Sequence, residues 1–208
     1  MKKFELTAEF VTNVFGKKLF RIKALVAFGD VEKGELGGFI EKEDNLSDSG
    51  NAWVYGNAQV YGNAQVYGNA QVSGNARVSD TARVYGDARV SGNARVYGDA
   101  RVSGNAQVYG NARVYGDARV SDTAQVYGNA DFAVVTGFGR YFRATTFFRC
   151  KDKIIRVQCG CFYGDLAQFR EIVKKTHGDS KYAKEYLAIA DLMELHFSDE
   201  EEKQEAVE

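Results

Sequence analysis

The sequence predicts a mainly β fold built around a parallel β-solenoid, because one six-residue phrase repeats without interruption from Ser49 to Phe132. All fourteen copies carry Ala in the fourth position, and thirteen carry Val in the sixth, where the last copy has Phe132. The second position is Gly except at Asp80 and Asp122. Ala and Val stand two residues apart, as inward-facing residues of a short strand do, and Gly accepts the positive φ of a tight corner. Each copy therefore predicts one short strand and one corner.

Residues 49–132 resemble the hexapeptide-repeat proteins that form left-handed parallel β-helices. The resemblance implies a triangular coil of three hexads, in which residues 18 positions apart stack at roughly 4.8 Å. It predicts one internal column made of Val60, Val78, Val96 and Val114. The left-handedness follows from the resemblance alone, and the alternative is a right-handed β-helix, whose repeats are usually longer and less regular. A homotrimer, and after it a dimer, is the assembly that the resemblance implies.

The segments that flank the repeat are predicted to cap it, because bare solenoid ends expose apolar surface and unpaired strand edges. A β-hairpin is predicted from Phe4–Val11 and Leu19–Leu25, with a turn at Asn13–Lys17. The chain is thus divided into an N-terminal β cap (1–48), the β-helix (49–132), a C-terminal α+β module (133–198) and an acidic tail expected to be disordered (199–208).

In the C-terminal module, hydrophobic patterning predicts two strands followed by two helices. The strands are expected over 139–150 and 153–161, and the helices from Asp165 to about Gly178 and from about Ser180 to Phe197. Alternation along the first strand is expected to expose one mixed basic and aromatic face: Tyr141, Arg143, Thr145, Phe147 and Arg149.

Both flanking segments also resemble uncharacterised hexapeptide-repeat proteins of bacteriophages and prophages. The resemblance implies a phage-associated origin but brings no established activity. The residues that carry it are Phe20–Leu25, Gly37–Lys42, the CGCF-containing stretch Val157–Gly164, Phe169 and Tyr182–Tyr186.

Composition limits the partners and the compartment. The net charge of −1 makes nucleic acid an unlikely partner, and no stretch reaches the roughly 20 apolar residues of a membrane span. Met1–Glu5 lacks the apolar core of a signal peptide. The three cysteines do not form a disulfide pattern. A cytoplasmic location, that of the host if the protein is phage-encoded, is therefore expected.

No catalytic residue, metal or cofactor is predicted. Hexapeptide acyltransferases use a histidine as a general base, whereas the repeat contains none and both histidines, His177 and His196, fall in the helical module. Cys150, Cys159 and Cys161 lack the second ligand pair of a zinc site, so buried structural cysteines are expected. An acyltransferase is the alternative function, and a structural spacer or fibre component is the second alternative.

The candidate binding surface is the outside of the solenoid, because Ala and Val fill its interior. The fifth position of each hexad is expected to point outward, and these side chains should stack in three columns. Trp53 heads one column, and arginines dominate the two others. The proposed ligand-binding residues are Arg77, Arg95 and Arg113 on one wall, Arg83, Arg101 and Arg119 on the next, Tyr97 and Tyr115 at the corner between them, and Tyr141, Arg143 and Arg156 in the module.

Such a set suits a small anionic, nucleotide-like ligand. The competing interpretation is that Asp99 and Asp117 simply neutralise the arginines. The sequence thus predicts a non-enzymatic binding protein that sequesters a small anionic signal or blocks a host protein, which would serve phage counter-defence.

Overall fold

The computed structural model describes residues 2–121, 123–128, 131–150 and 152–198. Its centre is a parallel β-solenoid with three walls, and strands in each wall pair with partners 18 residues away. Three strands precede the repeat: β1 (Phe4–Thr12), β2 (Lys18–Ala24) and β3 (Leu36–Ile40). The repeat strands are β4 (Trp53–Val54), β5 (Gln59–Val60), β6 (Gln65–Val66), β7 (Gln71–Val72), β8 (Arg77–Val78), β9 (Arg83–Val84), β10 (Arg89–Val90), β11 (Arg95–Val96), β12 (Arg101–Val102), β13 (Gln107–Val108), β14 (Arg113–Val114), β15 (Arg119–Val120) and β16 (Gln125–Val126). The C-terminal elements are β17 (Phe132–Val135), β18 (Thr145–Arg149), β19 (Ile155–Cys159), β20 (Phe162–Asp165), α1 (Leu166–His177) and α2 (Lys181–His196).

The predicted internal column is confirmed, since Val60, Val78, Val96 and Val114 pair in register along the first wall. The described Ala and Val side chains of the repeat are buried, as the two-residue alternation predicts. Burying each Val contributes about 1.5–3 kcal/mol relative to exposure. The repeat therefore supplies the stability of the solenoid, while the outward slots are free to vary.

The corners of the solenoid have the positive φ that glycine at these positions predicts. Asp80 takes the Gly position with φ of 58°, a value that Asp tolerates better than most residues. At Gly98, with φ of 70°, an added Cβ would lie 3.0 Å from the backbone nitrogen of Gly116 in the next turn. Close stacking as well as the positive φ thus selects glycine. Asp122, the other exception, lies outside the described residues.

The N-terminal cap extends one wall of the solenoid. β1 and β2 form the predicted antiparallel hairpin, β2 pairs with β3, and β3 pairs in parallel with β5. Trp53, predicted to face outward, is completely buried instead. Its ring packs against Phe28 at 5.3 Å and Phe4 at 6.4 Å between centroids, because the cap chain folds over the first turn.

Side-chain donors close this end of the solenoid. Within the walls, backbone N–H groups donate to carbonyls of the following turn, so the first turn leaves carbonyls without a strand partner. Lys3 Nζ donates to the carbonyl of Ala52 at 2.8 Å. Asn45 Nδ2 donates to the carbonyls of Gly62 and Ala64 at 3.2 and 2.8 Å.

The C-terminal module is an antiparallel sheet, in the order β17-β18-β19-β20, with α1 and α2 against it. The last repeat thus departs from the solenoid pattern, because Phe132 begins β17 and pairs with β18. Asp165 caps α1 as predicted, its Oδ1 accepting from the backbone N–H of Gln168 at 2.8 Å. β20 was not predicted. The acidic tail 199–208 lies outside the described residues.

The predicted first strand is shorter than expected, and its exposed face is wrong at Thr145 and Phe147. The strand begins only at Thr145, and the chain before it, from 136 to 144, forms a loop. Thr145 and Phe147 are buried, with Phe147 packed on Phe169 of α1. The opposite face is buried as well, since Phe148 joins the solenoid core. The strand lies between the solenoid and the helices, so neither face remains open to solvent.

At the C-terminal end of the solenoid, side chains of the module accept hydrogen bonds from backbone N–H groups of the last turn. The backbone N–H of Arg119 donates to Thr146 Oγ1 at 3.0 Å. Burial raises the pKa of the Cys150 thiol, and a hydrogen bond from the backbone of Gln125 to this thiol partly opposes that effect. Among the described elements, neither helix combines the length and apolarity needed to cross a membrane.

Candidate functional site

Two cavities lie along one corner of the solenoid, named the arginine edge: Arg77, Arg95 and Arg113 line one side of it and Arg83, Arg101 and Arg119 the other. The first cavity, the hairpin pocket, encloses about 230 Å³. Its lining residues are Val14, Phe15, Tyr61, Arg77, Ser79, Asp80, Arg95, Tyr97 and Arg113. The second, the junction cleft, encloses about 640 Å³. Its lining residues are Asp99, Asp117, Arg119, Tyr141, Phe142, Arg143, Ala144, Gly160 and Cys161.

The floor of the hairpin pocket is a column of three guanidinium groups. Arg77, Arg95 and Arg113 pair in register on successive turns, so their side chains project from the same wall. Across the described part of the chain, none of the three has a carboxylate oxygen within 4.0 Å. The column therefore presents positive charge that no carboxylate of the described residues pairs with directly.

The roof of the hairpin pocket is the turn between β1 and β2. Val14 and Phe15 lie there with 80% and 73% of their surfaces exposed. Asn13 Oδ1 accepts from the backbone N–H groups of Phe15 and Lys17 at 2.9 and 3.0 Å, which fixes the shape of the turn. The turn thus places two apolar side chains on one side of the cavity that the arginine column lines on the other.

An ion pair ties the hairpin to the solenoid. Lys17 Nζ lies 3.0 Å from Glu41 Oε1, and Glu41 Oε2 accepts from the backbone N–H of Gly62 at 2.6 Å. Burial tends to raise the pKa of Glu41, but these two hydrogen bonds and the lysine charge outweigh it and lower the pKa. The carboxylate consequently stays ionised and holds the roof in place.

The corner side of the hairpin pocket is aromatic and polar. Tyr97 stacks on Tyr115 at 5.5 Å with 16° between the ring planes. Ser79 is buried, and Asp80 Oδ2 accepts from the backbone N–H of Gly98 at 3.1 Å. Asp80 is therefore already bonded to the backbone, and the pocket retains an excess of positive charge.

The junction cleft forms where the loop before β18 faces the arginine edge. Arg143 holds a defined place in this loop: its guanidinium lies 5.0 Å from the ring centre of Tyr141. A Cβ added at Gly160 would lie 2.9 Å from Arg143 Nη1, so the glycine leaves space for the guanidinium. Phe142 has φ of 51° and is 71% exposed, a strained position for an aromatic residue.

The solenoid wall of the junction cleft carries two carboxylates. Asp99 and Asp117 occupy the same slot of the repeat on successive turns. Thr81 Oγ1 donates to Asp99 Oδ1 at 2.6 Å. Neither Asp99 nor Asp117 has a guanidinium or ammonium nitrogen within 4.0 Å in the described residues. They therefore form no direct ion pair with the arginines that the sequence suggested they neutralise.

The predicted site residues are thus divided between two cavities. Tyr97 and the first arginine column line the hairpin pocket, whereas Arg119, Tyr141 and Arg143 line the junction cleft. Arg83 and Arg101 are exposed beside them and are not among the lining residues of either cavity. Arg156 is not among them either and donates to Asp152 at 2.9 Å.

Sequence reasoning missed the residues that fold over the arginine edge. Val14 and Phe15 carried a usable signal, because adjacent exposed apolar residues mark interaction sites when they belong to a larger patch. Phe142 and Gly160 gave no such signal in the sequence, since their roles depend on how the module packs against the solenoid. Asparagine side chains also bond between successive turns of the solenoid: Asn75 donates to Asn93, and Asn93 to Asn111, each at 3.3 Å.

The histidines and cysteines lie away from the hairpin pocket. His177 packs against Tyr186 at 5.9 Å between ring centroids. Burial first, and then Cys159, raises the pKa of Tyr186 to about 12. Cys159 accepts from Thr145 Oγ1 at 3.2 Å, and Cys161 is an exposed free thiol at the junction cleft. The described residues contain no group of three or more His, Cys, Asp or Glu placed to hold a metal ion.

Comparison with known proteins identifies similarity in the repeat. The family model of the YdcK beta solenoid repeat matches residues 70–81, 82–98, 94–109 and 106–122. The matched residues fall within the solenoid, so the similarity supports the fold; it covers the solenoid side of the two cavities but neither cap. No curated protein matches the chain in sequence.

Proposed function

We propose that the protein is a non-enzymatic binding protein that captures a small phosphorylated, nucleotide-like anion in the hairpin pocket. The observation that carries this proposal is the column of three guanidinium groups, which have no carboxylate partner in the described ranges, beneath an apolar roof. Guanidiniums stacked at about 4.8 Å repel one another, and a bound phosphate relieves that repulsion. Their planar fork also binds two oxygens at once.

The remaining lining groups fit the non-phosphate part of such a ligand. Val14 and Phe15 offer an apolar surface on which a base can pack, and Tyr97 and Ser79 offer hydroxyl groups. A charge-assisted hydrogen bond is worth about 1.5–3 kcal/mol, so loss of one guanidinium from the column should lower affinity roughly 10- to 100-fold. We assign the lining groups a role in binding the ligand and no role in catalysis.

The test compares Arg95, which lines the hairpin pocket, with Arg101, which lies on the neighbouring wall outside it. Isothermal titration calorimetry is carried out with adenosine 5′-monophosphate and inorganic phosphate on the full chain, Arg95→Gln and Arg101→Gln. Glutamine occupies the same outward slot at Gln59 and Gln65, so both variants should fold. We expect Arg95→Gln to weaken adenosine monophosphate binding at least tenfold and Arg101→Gln to leave it within twofold. Equal loss in both variants, or no binding to the unchanged chain, would overturn the proposal.

We also propose a wider setting for this binding. The resemblance of the flanking segments to phage and prophage proteins supports a role in host cytoplasm, where sequestering an anionic signal would serve counter-defence. Blocking a host protein with the same surface is the alternative within this class. Mass spectrometry of small molecules released by heating protein purified from the infected host would test the first role by identifying a phosphorylated compound.

The resemblance to hexapeptide-repeat proteins supports a homotrimer, with a dimer as the next candidate. Light scattering at micromolar concentration should give about three times the chain mass of 23.0 kDa. A mass equal to one chain would contradict any homo-oligomer.

A further inference from the structure

The junction cleft differs from the hairpin pocket in its balance of charge. Its lining includes two carboxylates, Asp99 and Asp117, and two guanidiniums, Arg119 and Arg143. No carboxylate oxygen lies within 4.0 Å of either guanidinium in the parts of the chain described above. The cleft therefore leaves groups of both signs open, and a purely anionic ligand would meet two like charges.

The charges are held on separate parts of the fold. Asp99 and Asp117 project from the solenoid corner, where the repeat fixes them one turn apart. Arg143 belongs to the loop of the C-terminal module, where it lies against the ring of Tyr141 and over Gly160. A ligand between the two parts would thus meet Asp99, Asp117 and Arg119 on the solenoid side and Arg143 on the module side.

We propose that the junction cleft binds a basic amino acid that carries a free α-carboxylate, either as the free amino acid or as the C-terminal residue of a peptide. Its cationic side chain pairs with Asp99 and Asp117, and its carboxylate pairs with Arg143 and Arg119. Opposite charges placed in complementary positions give selectivity for such a ligand over a simple anion or cation.

The exposed aromatic residues fit the rest of the ligand. Tyr141 and Phe142 are 62% and 71% exposed at the cleft. The apolar stem of a Lys or Arg side chain packs on such rings, and its charged end favours their faces. The positive φ of Phe142 holds an aromatic ring in solvent at a conformational cost, which a ligand-contacting role would explain.

The test uses the tripeptide Gly-Gly-Arg, its C-terminal amide and free L-arginine, titrated by calorimetry into the full chain. We expect Gly-Gly-Arg to bind at least tenfold more tightly than the amide. Arg143→Gln should reduce the affinity for Gly-Gly-Arg towards that of the amide, with Arg119 retaining part of the difference, and leave the amide unaffected. Asp117→Asn should weaken both peptides at least tenfold, because it removes a partner of the cationic group.

A matched control is available in Asp87→Asn, because Asp87 occupies the same repeat slot on a different corner, where it accepts from Asn69 Nδ2. It should leave both affinities unchanged. Asn occupies the slot of Asp117 at Asn63 on the same corner, so Asp117→Asn should fold normally. Free L-arginine that binds as tightly as Gly-Gly-Arg identifies the free amino acid as the source, and binding at least tenfold weaker identifies a peptide C-terminus. The proposal is overturned if the amide binds equally well, if Arg143→Gln and Asp117→Asn change nothing, or if no probe binds.

Discussion

The two ends of the solenoid are closed by opposite chemistry. At the N-terminal end, the cap supplies donors to carbonyls, as Lys3 and Asn45 do. At the C-terminal end, the module supplies acceptors to N–H groups, as Thr146 does for Arg119. The difference follows from the backbone, because all strands of the solenoid run in parallel and each turn donates to the next. The caps are consequently specific for their ends and cannot be exchanged.

The same two caps also shape the two cavities. The N-terminal hairpin covers the arginine column and gives a pocket with excess positive charge. The module loop faces Asp99 and Asp117 and gives a cleft with balanced charge. A uniform repeat thus acquires two different surfaces along one edge, because each cap meets a different part of it.

The largest effect is expected at the donor end. Asn45→Ala removes both hydrogen bonds from Asn45 Nδ2 and leaves the carbonyls of Gly62 and Ala64 without that donor. The free energy of unfolding should fall by about 2–4 kcal/mol, as measured by urea denaturation. The control, Asn57→Ala at an exposed corner, should change it by less than about 0.5 kcal/mol. Equal losses in the two variants would show that the Asn45 amide does not close this end.

At the acceptor end, Thr146→Val should have a smaller effect. It keeps the shape of the side chain but removes the one oxygen that accepts from the Arg119 N–H. We expect urea denaturation to show a loss of about 1–3 kcal/mol, because one buried group loses its partner. Thr176→Val, at an exposed helix position, is the control and should be nearly neutral. A loss larger than that of Asn45→Ala would reverse the order expected for the two ends.

Lys3 should make the donor end sensitive to alkaline pH. Burial lowers its pKa from 10.5 to about 8 in the folded protein, and Asp48 partly opposes the shift. Between these two values the unfolded chain binds more protons than the folded one, so the free energy of unfolding should rise as pH increases from 8 to 10.5. The rise should be about 1–2 kcal/mol, reduced from the full shift by partial solvation.

The measurement is the difference in unfolding free energy between the full chain and Lys3→Met at several pH values. This difference cancels the titration of the tyrosines, which both proteins share. A constant difference across the range would mean that Lys3 keeps an ordinary pKa.

The smallest effect is expected at the roof of the hairpin pocket. Phe15→Ala should leave stability within about 0.5 kcal/mol, because the ring is 73% exposed. It should weaken adenosine 5′-monophosphate about tenfold, through lost apolar contact with the base, and leave inorganic phosphate unchanged. Calorimetry with both compounds measures this. Equal weakening of both would show that Phe15 only positions the arginines.

Much of the fold could be predicted from the repeat, because its period fixes which residues face inward and which stack. The register of Arg95 with Arg77 and Arg113 follows directly from that period. The hairpin and the cap of α1 at Asp165 followed from local signals. Local patterning failed at Phe147 and Phe148, since a strand with both faces buried shows no alternation.

The candidate site was predictable only in its solenoid half. The sequence placed the arginines and Tyr97 on one edge, but it did not show which would be enclosed. Val14 and Phe15 reach Arg77 from more than 60 positions earlier in the chain, and Arg143 reaches Gly160 through a loop. Such contacts depend on how the caps dock, which no periodic pattern encodes. Trp53 was misplaced for the same reason, because its partners Phe4 and Phe28 belong to the cap.

A crossed titration tests whether the two caps make two chemically different pockets on one edge of the solenoid. Calorimetry measures adenosine 5′-monophosphate and Gly-Gly-Arg on Arg95→Gln and on Asp117→Asn. We expect Arg95→Gln to weaken only the nucleotide and Asp117→Asn to weaken only the peptide, each at least tenfold. Loss of both ligands in both variants, or in neither, would contradict this expectation.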